Sequence, residues 1–185
     1  MPVAPIKTLF AEQALLPDRW ARDVLIHYGP VDGRIIKIER DAKVGGDDHA
    51  KIVIPGMPNL HSHAFQRAMA GMAERAGGKD DSFWTWRQTM YGLVSRLGPD
   101  DIEAIAGQLY AEMLCQGYTS VAEFHYLHNR PDGGRYGNPA ETALRVVRAA
   151  ESAGVAMTLL PVLYSQGGFN GEPLSPAQEL SLIHI

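Results

Sequence analysis

Residues 117–124 read GYTSVAEF, and this stretch decides the fold class. The glycine follows residues 99–116, where apolar side chains recur at helical spacing, and it precedes a run rich in β-branched and apolar residues. Glycine suits the left-handed conformation that commonly ends a helix. The stretch therefore predicts the end of a helix followed directly by a strand.

Downstream, the same order of elements repeats. Asn138, Pro139 and Glu141 predict the N-cap, the first helical position and the capping carboxylate of a helix that ends at Gly154. Residues 155–164, VAMTLLPVLY, then predict another apolar strand.

Upstream, Ser82 predicts the N-cap of a helix through residues 83–97, and residues 51–56, KIVIPG, predict a short apolar strand. Strands that alternate with helices at this spacing form parallel βα units, which makes the fold class α/β. Because the strands are apolar nearly throughout, we expect helices to cover both faces of the sheet.

The beginning of the chain is predicted to be β structure. A turn at residues 30–33 leads into RIIKIER at 34–40, which suits a half-buried strand, and a polar loop follows at 44–50. We therefore predict a small β domain over residues 1–55 and an α/β layer over 56–185.

Composition excludes several classes of protein. The 185 residues carry a net charge of -4 without a long block of either sign, which argues against nucleic-acid and membrane-surface binding. The single cysteine, Cys115, excludes an internal disulfide and a cysteine-based zinc site, and we interpret it as a small core residue. Neither a signal peptide nor a membrane-spanning run is visible, so the cytoplasm is the expected compartment.

His61 and His63 are the candidate metal ligands. Side chains alternate along a strand, so these two imidazoles point to the same side and can share one zinc ion. An isolated His-x-His is more often a pair of buried histidines bonded to backbone. Here the position at the end of a strand, before a βα pattern, favours the metal site.

Four segments carry a resemblance to a known family. Residues 53–71 (VIPGMPNLHSHAFQRAMAG), 80–91 (DDSFWTWRQTMY), 117–129 (GYTSVAEFHYLHN) and 159–169 (LLPVLYSQGGF) resemble, in this order, the formimidoylglutamate deiminases of the amidohydrolase superfamily. The wider superfamily usually has aspartate two residues before the first histidine, whereas Asn59 stands here, as in the formimidoylglutamate branch. The resemblance covers residues 8 to about 172.

The resemblance implies a small β-sandwich domain followed by a (β/α)8 TIM-like barrel that holds one zinc ion. The implied reaction is the hydrolysis of N-formimino-L-glutamate, a small-molecule substrate, to N-formyl-L-glutamate and ammonia in histidine degradation. His61 and His63 match two zinc ligands of the family, and Gln66, Arg87 and Tyr126 match positions that contact substrate. Without the family, these three would be interpreted as a loop amide, a solvated helix charge and a rim aromatic. For the full-length protein we expect a homodimer.

The family's other ligands and its acid–base residues come from later strands, and no matching segment occurs before Ile185. A closed barrel needs roughly 250 residues, and residues 179–185, ELSLIHI, do not continue the family pattern. We therefore expect this chain to be the N-terminal part of the enzyme, with no catalytic residue of its own, no turnover and foreign residues at its end.

Three alternatives stay open. Another amidohydrolase, such as a purine or pyrimidine deaminase or an imidazolonepropionase, would share the His-x-His strand. A non-catalytic metal-binding module would add His125 or His128 as zinc ligands. A non-functional truncated product would expose apolar surface and unfold without cooperativity.

Overall fold

The computed structural model describes residues 5–72, 82–162, 166 and 170–173. The chain divides into two compact units, Met1–Pro55 and Gly56–Ile185. Predictions were also made for residues 163–164 and 179–185, which lie outside the described part of the chain.

The first unit is a four-stranded sheet. Its strands are β1 (Lys7–Leu15), β2 (Trp20–Tyr28), β3 (Ile35–Glu39) and β4 (Asp48–Val53), in the order β3-β2-β1-β4. β1 pairs antiparallel with β2 and parallel with β4, and β2 pairs antiparallel with β3. The β structure predicted for this part of the chain is confirmed.

The turn predicted before β3 is present, and Gly33 takes the positive φ of 65° that favours glycine. Two other details of the prediction change. The predicted polar loop is shorter than expected because β4 already begins at Asp48. The strand predicted over residues 51–56 proves to be the end of β4, and a separate strand begins at Met57 in the second unit.

The second unit contains the helices and a parallel sheet. Its elements are β5 (Met57–Ser62), a 3₁₀ helix (Ala64–Met69), α1 (Phe83–Val94), α2 (Pro99–Cys115), β6 (Tyr118–His125), α3 (Glu141–Ala153) and β7 (Ala156–Pro161). The strand order is β5-β6-β7, and both pairings are parallel. The predicted βα pattern is confirmed.

Two helix ends follow the sequence closely, whereas α1 ends at Val94 rather than at residue 97 and one helix start differs. Gly117 and Gly154 follow α2 and α3 with φ values of 86° and 85°. The start predicted for α3 at Asn138 is wrong, because the helix begins at Glu141. Asn138 instead accepts the Ala140 N–H on its side chain at 3.0 Å, which closes a turn before the helix.

The core of the second unit lies between the sheet and the helices. α2 contributes Ile102, Ala106, Tyr110 and Met113, α3 contributes Val146, Ala149 and Ala150, and Val121 of β6 lies between them. Cys115 is exposed, so its assignment to the core is wrong. It lies outside the helical spacing of the buried α2 residues, at the last residue of the helix.

The expectation that both faces of the sheet are covered is not met within the described residues. Met157 and Leu159 of β7 pack against the helical core. The alternating positions of β7 are exposed, and Leu60 of β5 is 77% exposed. Helices cover one face only. No helix in the described part of the chain has the length and apolar character needed to cross a membrane.

Candidate metal and substrate site

His61 and His63 lie where β5 ends. β5 stops at Ser62, whose side chain is buried, and the two imidazole rings flank it with their centroids 4.9 Å apart. The pairing of β5 with β6 is irregular between Asn59 and Ser62, just before the second histidine. The two rings nevertheless lie together, as the alternation in the sequence predicts.

β6 orients the His63 ring. His63 Nδ1 lies 3.0 Å from the Phe124 carbonyl oxygen, which can only accept, so Nδ1 carries the proton. This assignment leaves the Nε2 lone pair for a metal ion. The rings of Phe124 and Tyr126 lie edge-on against His63, at centroid distances of 5.1 and 5.2 Å, and restrict its rotation.

Asn59 supports backbone rather than a metal ion. Its Oδ1 accepts the His61 N–H at 3.1 Å, and its Nδ2 lies 3.8 Å from Met113 Sδ. An aspartate here could accept the same N–H. The Asn59 amide adds a donor that a sulfur atom from the α2 core can accept weakly.

Gln66 and Tyr126 meet beside the histidines. Gln66 lies in the 3₁₀ helix rather than in the expected loop, and its Nε2 donates to Tyr126 Oη at 3.2 Å. Met90 Sδ lies 3.8 Å from that nitrogen and 3.7 Å from that oxygen. Because Tyr126 also contacts His63, the structure brings three of the predicted site residues into one group.

Arg87 is bonded to another residue of its own helix, α1. Its Nε donates to Tyr91 Oη at 3.0 Å, and its guanidinium carbon lies 5.3 Å from the Tyr91 ring centroid. α1 packs against the 3₁₀ helix that carries Gln66. The structure therefore places Arg87, bonded to Tyr91, on the helix that packs against the segment of Gln66.

Arg67 forms a structural ion pair. Its Nε and Nη2 donate to the two carboxylate oxygens of Glu112 at 2.7 and 2.8 Å, which joins the 3₁₀ helix to α2. Bonds from Arg67 and then Gln108 hold the pKa of Glu112 at about 2.

His125 and His128 form a buried pair rather than a metal site. His125 Nε2 lies 3.1 Å from Thr142 Oγ1, and His128 Nε2 lies 2.9 Å from the Val162 carbonyl oxygen. The Thr142 hydroxyl itself donates to the Leu127 carbonyl, so it accepts from His125. Burial, and then the neighbouring His128, lower the pKa of His125 to about 4, and burial lowers that of His128.

No group of three or more His, Cys, Asp or Glu side chains among residues 5–72 and 82–162 could hold a metal ion. The metal-binding module that would add His125 or His128 to His61 and His63 therefore has no support in the described structure.

One residue of this region was not predicted from the sequence. Glu123 of β6 is 1% exposed, and its Oε1 accepts the Ala64 N–H at 2.7 Å. Ala64 follows His63 directly. The available signal was a glutamate at an inward position of the apolar run TSVAEF.

Comparison with known proteins shows which proteins the sequence resembles. Residues 6–51 match the family model described as "Formimidoylglutamate deiminase HutF, N-terminal domain". The chain is 57% identical over 174 residues to the formimidoylglutamate deiminase of Pseudomonas aeruginosa, and the match covers 94% of this chain. The chain is therefore similar to the N-terminal part of a formimidoylglutamate deiminase. It spans 38% of the length of that relative.

Solved structures support an α/β amidohydrolase fold for this chain. An amidohydrolase from Brucella melitensis matches with a TM-score of 0.88 and 46% identity, over 96% of this chain and 39% of that one. An atrazine chlorohydrolase from Arthrobacter aurescens, solved with zinc and atraton, matches with a TM-score of 0.59. It is 20% identical over 89% of this chain and 37% of its own, so it supports the fold alone.

A more distant relative bears on the alternative deaminase. The 8-oxoguanine deaminase of Pseudomonas aeruginosa is 31% identical over 81 residues, which is 44% of this chain and 17% of that protein. The deiminase match is longer and has the higher identity.

Proposed function

We propose that these residues form the N-terminal part of a zinc-dependent deiminase that hydrolyses N-formimino-L-glutamate to N-formyl-L-glutamate and ammonia in histidine degradation. One observation carries the proposal: a chain 57% identical to such a deiminase places His61 and His63 side by side, with the His63 tautomer fixed by Phe124.

The residues present fit a zinc ion. Two imidazoles lie together at a strand end, and the hydrogen bond at His63 Nδ1 directs its Nε2 toward metal binding. When bound, zinc supplies a hydrolytic nucleophile at neutral pH, because it lowers the pKa of its water to about 7. A catalytic zinc takes three protein ligands, so we propose that the others come from the part of the relative that this chain does not span.

Gln66 and Tyr126 are proposed to bind the substrate next to the metal. The amide and the hydroxyl already meet at 3.2 Å, and both can donate to a carboxylate or to the formimino group. Their contact with Met90, and that of Tyr126 with His63, fix their positions before substrate arrives.

Arg87 is proposed to bind one of the two substrate carboxylates. Its guanidinium fork suits a carboxylate in two-point contact. A two-point contact that uses Nε would replace the neutral Tyr91 hydroxyl as the partner of that nitrogen. A charged acceptor bonds more strongly than a neutral one, which favours this exchange.

The finer architecture is proposed on the same grounds. The sheet of β1 to β4 would form part of a β-sandwich, and β5, β6 and β7 would be the first strands of a (β/α)8 barrel. The single cysteine fits a reducing compartment, and we propose a cytoplasmic enzyme with a small-molecule substrate, assembled as a homodimer.

The test is an assay of the protein expressed from the complete reading frame that contains these residues. Ammonia release is measured with N-formimino-L-glutamate and, separately, with 8-oxoguanine, and bound zinc is measured by elemental analysis. We expect turnover of the first substrate and one zinc per chain. Turnover of 8-oxoguanine alone would support the alternative deaminase, and absence of both activities would overturn the proposal.

A further inference from the structure

Three buried side-chain oxygens in the described structure have no hydrogen-bond partner: Ser62 Oγ, Tyr110 Oη and Glu123 Oε2. Ser62 lies opposite Glu123 in the β5–β6 pairing. Burial, and then the charge of Glu123, raise the pKa of Tyr110, which places the α2 hydroxyl close to the same carboxylate. The three residues therefore form one group, called here the Glu123 cluster.

The Glu123 cluster is costly for the fold. Burying a carboxylate is unfavourable unless its oxygens are paired, and replacing buried charge by well-packed apolar residues is often stabilising. Glu123 Oε1 accepts the Ala64 N–H, whereas among the described residues the nearby Tyr110 hydroxyl makes no hydrogen bond of normal geometry to Oε2. Packing alone does not account for a glutamate that is 1% exposed at this position.

The bond that Glu123 does make lies at the candidate metal site. It fixes the backbone N–H of Ala64, the first residue of the 3₁₀ helix, one residue after His63. The regular ladder between β5 and β6 is interrupted just before this point. The side chain of Glu123 thus takes over the role of a strand partner where β5 ends.

Two successive residues of β6 hold His63 from different sides. The Phe124 carbonyl fixes the ring through Nδ1, and the Glu123 carboxylate fixes the backbone through the next residue. A histidine ligand needs both its ring orientation and its Cα position defined, because misplacement of the nitrogen weakens the metal bond.

We propose that Glu123 is a positioning residue for His63: its buried carboxylate clamps the Ala64 N–H and so sets the geometry of the metal-binding turn. The proposal rests on the proposed zinc function. It assigns Glu123 no contact with metal or substrate. What matters is an acceptor oxygen at this distance, rather than the negative charge.

Two substitutions separate the position of the acceptor from its charge. Glu123→Asp keeps the charge but withdraws the oxygen by about 1.5 Å, one C–C bond. Glu123→Gln keeps an acceptor in place and removes the charge. Val146→Ala is the matched control, because it also removes buried contacts from the same core but lies in α3, outside both the turn and β6.

The measurements are made on the protein from the complete reading frame. They are the zinc dissociation constant, the visible spectrum of the cobalt-substituted protein, and hydrogen exchange of the segment that contains Ala64. We expect Glu123→Asp to weaken zinc binding about tenfold or more, shift the cobalt bands and speed exchange. Glu123→Gln should remain within about threefold of wild type, and Val146→Ala should lower Tm without changing zinc affinity.

The opposite pattern would overturn the inference. A wild-type zinc affinity in Glu123→Asp, or an equal loss in Glu123→Gln, would show that the acceptor position does not matter. Wild-type protein that binds no zinc would instead contradict the proposed function, and the exchange rates would then decide by themselves whether Glu123 holds the Ala64 N–H.

Discussion

At the scale of single residues, the proposed function depends on His61 and His63. Their ring centroids lie 4.9 Å apart, and Phe124 fixes the tautomer of His63. Under the proposed function each supplies one ligand of the zinc ion, so loss of either would leave too few protein ligands for tight binding.

We predict that His63→Ala, in the protein from the complete reading frame, reduces bound zinc from one per chain to nearly none. Elemental analysis after dialysis measures it. His49→Ala, which replaces a half-exposed histidine of the first unit, serves as the control and should keep its zinc. Full zinc occupancy in His63→Ala, with loss in His128→Ala, would favour the alternative site.

Arg87 gives a second prediction at this scale. If its guanidinium binds a substrate carboxylate, Arg87→Lys loses the two-point contact, and KM for N-formimino-L-glutamate should rise roughly 10- to 100-fold. Steady-state ammonia release measures the change. Arg96→Lys, at an exposed position after the same helix, should leave KM unaltered. An unchanged KM in Arg87→Lys would remove Arg87 from the substrate site.

At the scale of elements, the close approach of β5 and β6 positions the site. A Cβ on Gly56 would lie 2.1 Å from Thr119 Oγ1, so glycine is required where the two strands begin to run together. The same pairing carries Ser62 opposite Glu123 at its other end. Separation of the strands would therefore disturb the metal-binding turn.

We predict that Gly56→Ala lowers the free energy of unfolding by about 1–3 kcal/mol, since the new methyl group forces the strands apart. Urea unfolding measures this. Gly107→Ala, in α2 with no heavy atom within 4 Å of the added Cβ, is the control and should be neutral or slightly stabilising. The double variant Gly56→Ala, Thr119→Gly should recover part of the loss; equal stability of Gly56→Ala and wild type would contradict the close approach.

The buried histidine pair links β6 to α3 and to the end of β7. Because burial lowers the folded pKa of His125 from 6.5 to about 4, the unfolded chain binds a proton that the folded chain refuses between these values. The stability from a neutral His125 is therefore complete above pH 6.5 and is lost as the pH falls toward 4.

Lowering the pH from 7.5 to 5 should thus destabilise the second unit by about 2 kcal/mol through this residue. Urea unfolding at the two pH values measures it, and His125→Gln should show a shallower dependence. Val146→Ala, destabilised without losing a titratable group, should keep the wild-type dependence. An identical pH dependence in His125→Gln would show that His125 does not titrate with unfolding.

Local sequence predicted some elements well. Gly117 and Gly154 mark helix ends because only their backbone tolerates the positive φ found there. The start of α3 was misplaced because Asn138 can cap a helix or close a turn, and the two uses look alike in sequence. Residues 51–56 were predicted as a strand of their own, whereas they contain only the end of β4, because the polar residues at 48–50 concealed where that strand begins.

Residues of the candidate site could be predicted where their arrangement depends on neighbouring positions in the sequence or on the family resemblance. Alternation along a strand brings His61 and His63 together, and the family resemblance pointed to Gln66 and Tyr126. The role of Glu123 depends on an irregular pairing between strands about 60 residues apart, which no local pattern encodes.

At the scale of the whole molecule, the chain joins a four-stranded sheet to a three-stranded parallel βα unit, and it spans 38% of the deiminase it matches. The described residues bring together two imidazoles but no three-ligand group. Under the proposed function, this chain supplies the first metal strand and part of the substrate pocket, and the remaining ligands come from the part of the relative that this chain does not span.

The most direct test of that claim is a crystal structure of the zinc-loaded protein from the complete reading frame, with anomalous difference density collected at the zinc edge. The account predicts one peak about 2.0–2.1 Å from His63 Nε2 and from a ring nitrogen of His61. A zinc peak at His125 and His128, or no peak beside His61 and His63, would contradict it.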